Sequence, residues 1–195
     1  MVRLAQALWE DRILDLCCGT GDLAEIFHRR GNRKIVGLDF NRPMLSIAYR
    51  RSHENANHCI QYACGDALRL PFLDNSFRVV AIGYGLRNLS NIDNALSEIM
   101  RVTQAGGRIM ILEFGKPDNA ILRKIYFSYL KFVIPIFGRL FFRNANFYAY
   151  ILKSLNNYPG QTDINLRLAK LGCKSTHIYP ILGGMMSINL ATCDK

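Results

Sequence analysis

From residue 12 to residue 114 the chain alternates short apolar runs with amphipathic segments, and no other feature restricts its fold as much. Residues 13–17 form an apolar run interrupted by one acid and followed by Gly19-Thr20-Gly21; residues 22–30 then repeat at helical spacing and close on Gly31. A second strand is expected over 34–40, and a helix over 42–51 with Pro43 in its first turn, where a missing N–H is harmless. "CIQYACGDA" reads as a third strand ending near Asp66, 77–85 as a fourth, and 91–103 as a helix. After Ala105-Gly106-Gly107, residues 108–114 make a fifth. Strands that alternate with helices imply an α/β fold with a doubly wound, mostly parallel sheet. At 195 residues the chain suits one domain with a sizeable core.

Beyond Lys116-Pro117 the texture changes. Residues 121–155 mix aromatics with Lys and Arg and are broken by Pro135 and Gly138, so no apolar stretch reaches the roughly 18 residues of a membrane-spanning helix. The last part reads as a helix end, a strand, a turn and a strand, which returns the chain to the sheet. The expected organisation is a single domain over 1–195, with 12–114 as a cofactor-binding half and 115–195 as a substrate- and membrane-facing half. Of the formal charge of +10, residues 115–195 carry +8, from eleven Lys and Arg against three acids. Such a surface suits anionic lipid, nucleic acid or an acidic partner. The first residues lack the apolar core of a signal peptide, and the expected location is cytoplasmic.

The six cysteines are scattered with no C-x-x-C pair, and the four histidines show no ligand spacing beside a cysteine pair. Reduced thiols and no metal are expected. Cys17 and Cys18 are then bystanders in a loop whose glycines let the backbone approach a ligand at a helix N-terminus. Gly19-Thr20-Gly21-Asp22-Leu23-Ala24 fits the loose dinucleotide pattern G-x-G-x-x-A. Two acids refine it. Asp15 lies inside the first strand, where a carboxylate would repel a diphosphate but welcome the cationic amino end of S-adenosylmethionine (AdoMet). Asp39 ends the second strand, eighteen residues past Gly21, where an acid accepts ribose hydroxyls. Asp66-Ala67 after the third strand suits an adenine amino group. Three acids at the carboxyl ends of three successive strands mark the edge where open α/β sheets bind ligands.

The order "LDLCCGTGDLA … VGLDF … GDALRLPFLDNSF … GYGLRNL … LSEIMRV … GGRIMILEFGKP" resembles the class I AdoMet-dependent methyltransferases. More narrowly, the chain is similar to the C-methyltransferases of ubiquinone and menaquinone biosynthesis. The narrower likeness rests on "GLRN" at 85–88, "LEFGKP" at 112–117, "YLKFVIPIFG" at 129–138 and "YAYILKSL…YPGQ" at 148–161. The resemblance implies a Rossmann-like sheet of seven strands and AdoMet as cofactor. It assigns cofactor binding to Asp15, Gly19, Thr20, Gly21, Asp39, Asp66, Ala67 and Gly83. It places Arg87 and Asn88, with Tyr84 beside them, at the substrate. The chain departs from the family at Cys17, which stands where many methyltransferases have a first glycine, and at Gly83, where a serine is common. The family also carries helices before the first strand that cover the active site. Only "VRLAQALW" matches their tail, so that cover is expected to be largely missing.

The implied reaction is methylation of a carbon on a demethylated isoprenoid quinol: demethylmenaquinol, demethylphylloquinol or a ubiquinol precursor. A ring carbon becomes nucleophilic when its neighbouring hydroxyl loses a proton, so a cation such as Arg87 would stabilise the phenolate, and Asn88 or Tyr84 would position the hydroxyl. The expected partners are a lipophilic quinol, the inner face of the membrane as a peripheral contact, and a second copy in a homodimer. Nucleic acid is not expected, since no Asn-Pro-Pro-Tyr-type motif follows the fourth strand. The alternatives are a non-catalytic AdoMet-binding subunit of a quinone-synthesis complex, a methyltransferase for another small molecule or RNA, and a nicotinamide reductase.

Overall fold

A computed structural model describes residues 1–54, 59–133 and 154–194. Most of the basic-aromatic stretch (134–153) lies outside them, as do the "IPIFG" and "YAYILK" pieces of the family likeness. Among the described residues the chain runs through α1 (Val2–Ala5), β1 (Arg12–Leu16), α2 (Asp22–Arg29), β2 (Lys34–Asp39), α3 (Arg42–Glu54), β3 (Ile60–Cys64), β4 (Phe77–Gly83) and α4 (Ile92–Val102). It continues through β5 (Thr103–Phe114), α5 (Ala120–Ser128), α6 (Gln161–Lys170), β6 (Cys173–Ile181) and β7 (Met186–Cys193).

The strands form one seven-stranded sheet in the order β3-β2-β1-β4-β5-β7-β6. All neighbours are parallel except β7, which runs antiparallel to both β5 and β6. Both faces are covered, and the central strands are therefore apolar on both sides. Leu14, Leu16, Val80, Ile82, Ile109 and Ile111 pack towards α4 and α6. Ile13, Ile35, Val79, Ala81 and Met110 pack towards α1 and α2 through Ala5, Ala24 and Phe27.

The element boundaries follow local chemistry. Asn91 caps α4 by accepting from the Asn94 amide at 3.0 Å, one residue inside the expected start. α3 runs on to Glu54, three residues past the expected end. β5 differs more. It begins at Thr103, and the Ala105–Gly107 region is a bulge within the strand, because Phe77 pairs with Thr103 and Val79 already with Arg108. Gly106 takes φ +66°, and a Cβ on Gly107 would stand 2.7 Å from the Gln104 carbonyl oxygen.

Strand order reverses between β1 and β4: β2 and β3 lie to one side of β1, β4 and β5 to the other. A crevice opens at that point beyond the carboxyl ends of the strands. No helix among the described residues is long and apolar enough to cross a membrane.

Candidate active site

The crevice is a cleft of about 700 Å³, within the range of small-molecule sites. Its floor is the turn after β1. Cys17, Gly19 and Gly21 have φ +56°, +54° and +81°, three left-handed residues in five, which curl the backbone beneath α2. The loop closes through the Cys18 amide to the Leu38 carbonyl (3.1 Å) and the Gly21 amide to the Cys18 carbonyl (2.8 Å). Cys17 holds a left-handed backbone that only glycine adopts without steric cost. A Cβ on Gly19 would meet no atom within 4 Å. Gly19 lines the cleft, so its bare Cα leaves the backbone open to a ligand.

Asp39 ties this loop to β2. Its Oδ2 accepts from the Gly19 amide and its Oδ1 from the Asn41 amide, each at 2.8 Å. Each oxygen retains a lone pair for a donor from the cleft. Opposite, Asp66 is exposed and folds its own turn, with Oδ1 accepting from the Leu68 amide at 2.9 Å, while Ala67 is buried. Tyr84 and Asn88 form the far wall. Tyr84 is left-handed (φ +57°), its hydroxyl donates to the Met186 Sδ at 3.0 Å, and its ring packs 5.0 Å from that of Phe114. Burial, then the Glu113 charge, pushes the Tyr84 phenol upward.

The structure thus gathers Gly19, Asp39, Asp66, Ala67, Tyr84 and Asn88 around one cleft. Other expected site residues stand differently. Asp15 is 1% exposed, beneath the loop, where its Oδ2 accepts from the Ala24 amide at 2.9 Å. Burial pushes its carboxyl up to about 8; the Ala24 hydrogen bond opposes this and the charges of Asp39 and Asp22 add to it. Thr20 turns away, its hydroxyl donating to Asp22 (2.9 Å) and its carbonyl accepting from Arg51 (3.0 Å). Gly21 is glycine because a Cβ would stand 2.3 Å from the Tyr62 hydroxyl, and Gly83 lies against Leu23 of α2.

Arg87 differs most from expectation. It is no free cation over the cleft: its Nη1 donates to Glu113 and to the Tyr84 carbonyl (2.8 Å), and its guanidinium sits 4.9 Å from the Phe114 ring centroid. The pair is buried. Burial pushes the Glu113 carboxyl upward, and the Arg87 charge with the Phe114 and Arg87 amides pulls it back.

Two residues escaped the sequence reading. Phe40, directly after Asp39, is 80% exposed and lines the cleft. A large aromatic immediately beyond a strand-ending acid was the available signal. Glu113 was visible as the one carboxylate in the fifth strand.

All six cysteines are free. Burial, with the nearby carboxylates of Asp39, Asp15, Glu113 and Asp66, pushes the Cys17 thiol up to about 12, and Cys18 shifts the same way. Neither suits redox or metal work at neutral pH. Among the described residues no group of three His, Cys, Asp or Glu could hold a metal ion.

This fold is shared with solved methyltransferases. A SAM-dependent methyltransferase from Aquifex aeolicus aligns with a TM-score of 0.68 at 14% identity, covering 95% of this chain and 84% of that one. A putative one from Methanococcus maripaludis aligns at 0.69 and 21%, covering 96% and 80%. The fold is therefore the Rossmann-like fold of the class I AdoMet-dependent methyltransferases. The sequence narrows it: the ubiE/COQ5 methyltransferase family matches residues 1–193, and the chain belongs to that family. The demethylmenaquinone methyltransferase of Bacillus licheniformis is 35% identical over 181 residues, covering 91% of this chain and 76% of that protein. The enzyme of the same name from Staphylococcus aureus is 34% identical over 188 residues, covering 94% and 76%. The chain is an AdoMet-dependent methyltransferase, which closes the nicotinamide alternative.

Proposed function

We propose that this protein transfers a methyl group from AdoMet to a ring carbon of a demethylated isoprenoid quinol, of the demethylmenaquinol type. It works as one domain, with 12–114 holding the cofactor and 115–195 the substrate side. The observation that carries this reading is the similarity to demethylmenaquinone methyltransferases over nine-tenths of the chain, with the Asp39–Gly19 bracket at the heart of the cleft. The bare Gly19 backbone and the spare lone pairs of Asp39 fit the ribose of the cofactor. Asp66 and Ala67 fit an adenine edge, and Phe40 fits its ring face.

When bound, AdoMet supplies an electrophilic methyl on a sulfonium centre. The protein's part is to hold the quinol carbon in line with it at about 3–3.5 Å and exclude water. Tyr84 and Asn88 orient the quinol hydroxyl from the far wall. Arg87 acts from behind that wall: by gripping the Tyr84 carbonyl it fixes the left-handed turn on which both side chains are carried. Asp15 holds the start of α2 in place through Ala24, so that the loop above it keeps its curl. Among the described residues no histidine or glutamate lines the cleft as a base, and the quinol proton leaves to water. A lipophilic substrate places the enzyme at the cytoplasmic face of a membrane, in peripheral contact with it.

The test is to incubate the purified protein with AdoMet and demethylmenaquinol in detergent and follow the product by mass spectrometry. A methylated quinol supports the reading. Cofactor binding without any methylated product would point to the non-catalytic alternative.

A further inference from the structure

The outer face of α5 and the turn after it is uncovered and apolar. Ile121 is 73% exposed, Ile125 60% and Phe132 59%, and Tyr129 is also exposed. Leu182, 68% exposed, extends the patch: its turn abuts α5, since a Cβ on Gly183 would stand 2.8 Å from Leu122. Monomeric proteins seldom expose so many large apolar side chains together, and such patches mark interaction sites. The charge around them is mainly positive, with Asp118 just before the helix as the acid at its edge. From Asn119 to Val133 there are three cations (Arg123, Lys124 and Lys131) and no acid, all three exposed. The Lys131 ammonium sits 5.3 Å over the Phe132 ring, an amphipathic pair at the end of the stripe.

The inner face of the same helix reaches the catalytic side. Tyr126 is buried, its hydroxyl donates to the Met185 carbonyl at 3.3 Å, and its phenol feels the charges of Arg87 and Glu113. One helix therefore has an apolar, basic outer face and an inner face that borders the wall of the cleft.

We propose that this face of α5 docks on the surface of an anionic phospholipid bilayer, with Ile121, Ile125, Tyr129 and Phe132 in the headgroup–acyl boundary and the three cations over lipid phosphates. An amphipathic helix with basic flanks binds in this way, through buried apolar area plus attraction to anionic headgroups. The inference rests on the proposed quinol substrate for its purpose: the docked face would bring the Tyr84 wall to the level where a lipid-borne head group emerges.

The test is vesicle co-sedimentation of the full chain. Vesicles of phosphatidylcholine alone are compared with vesicles of phosphatidylcholine and phosphatidylglycerol, each at low and high salt. The proposal predicts binding to the anionic vesicles, weakened by salt. It predicts about a tenfold loss of partitioning for each of Ile125→Ser and Phe132→Ser, and a loss confined to anionic vesicles for Lys124→Glu/Lys131→Glu. All these variants should keep wild-type circular dichroism and wild-type turnover on a short-tailed, soluble quinol analogue. That second readout separates the two proposals, because failed docking with intact turnover leaves the quinol reading standing. Wild type that ignores anionic vesicles, or variants that bind like wild type, overturns docking. A concentration-dependent dimer in sedimentation velocity that Ile125→Ser abolishes also overturns it, by giving the face to a second copy.

Discussion

The guanidinium of Arg87 is held between the Glu113 carboxylate and the Tyr84 carbonyl, so a buried ion pair to Glu113 of β5 fixes the turn that forms one wall of the cleft. Removing one member of a buried pair leaves an uncompensated charge, at a cost of about 3–5 kcal/mol. Arg87→Leu and Glu113→Leu should each destabilise by that order in urea denaturation, and the double variant by clearly less than the sum. Additive losses would mean that the two side chains do not act as a pair.

Arg87→Lys separates position from charge. Lysine keeps the positive charge but loses the fork that reaches Glu113 and Tyr84 together. With Arg87 as a positioning residue, turnover should fall about tenfold or more while AdoMet affinity stays within about twofold. Equal turnover would remove Arg87 from the catalytic account.

Cys17 and Gly85 fit only as a pair: a Cβ on Gly85 would stand 2.5 Å from the Cys17 Cβ. Gly85→Ala should destabilise by about 1–3 kcal/mol through overpacking. Cys17→Gly suits the left-handed backbone and should be nearly neutral alone. In the Cys17→Gly background the cost of Gly85→Ala should shrink, although Ile82, whose Cγ1 lies 3.2 Å from the same point, keeps part of it. An undiminished cost would place the clash elsewhere.

Asp15 gives the stability a defined pH dependence. Its carboxyl titrates near 8 in the folded protein against an ordinary value of 3.8, so the native state holds the proton more tightly than the unfolded chain. The resulting stabilisation is fully present below about pH 4 and is lost as pH rises through about 8. Asp15→Asn keeps an acceptor for the Ala24 amide and cannot titrate. Between pH 5 and 8 the unfolding free energy of wild type should fall relative to this variant, by up to about 1.4 kcal/mol per pH unit. Parallel curves would show that Asp15 is ionised in the fold.

Much of this was legible in the sequence, for identifiable reasons. Periodicity and glycine placement located the strands and helices of the first half, because β1 to β5 are apolar and turn at glycines. That Asp39 and Asp66 line the same cleft was readable because both follow or end parallel strands at the carboxyl edge of the sheet. The bulge in β5 was hidden, since Gly106-Gly107 reads equally as a turn between elements. The pairing of Arg87 is not legible in the sequence, because its partner, Glu113, lies 26 positions away and only the sheet brings them together. The contact of Asp15 with the Ala24 amide is not legible in the sequence, because only the curl of the loop brings that amide over the strand.

The central claim is that the cleft over Gly19 and Asp39 binds AdoMet through the Asp39 carboxylate, and calorimetric titration of AdoMet tests it most directly. Wild type should bind one cofactor per chain. Asp39→Ala should weaken binding by about 1–3 kcal/mol, from lost charge-assisted hydrogen bonds. Asp39→Asn, which keeps one acceptor for the Gly19 amide, should lose less, with the fold of both variants unchanged by circular dichroism. Affinity in Asp39→Ala equal to that of wild type, or no AdoMet binding by wild type at all, would contradict the account.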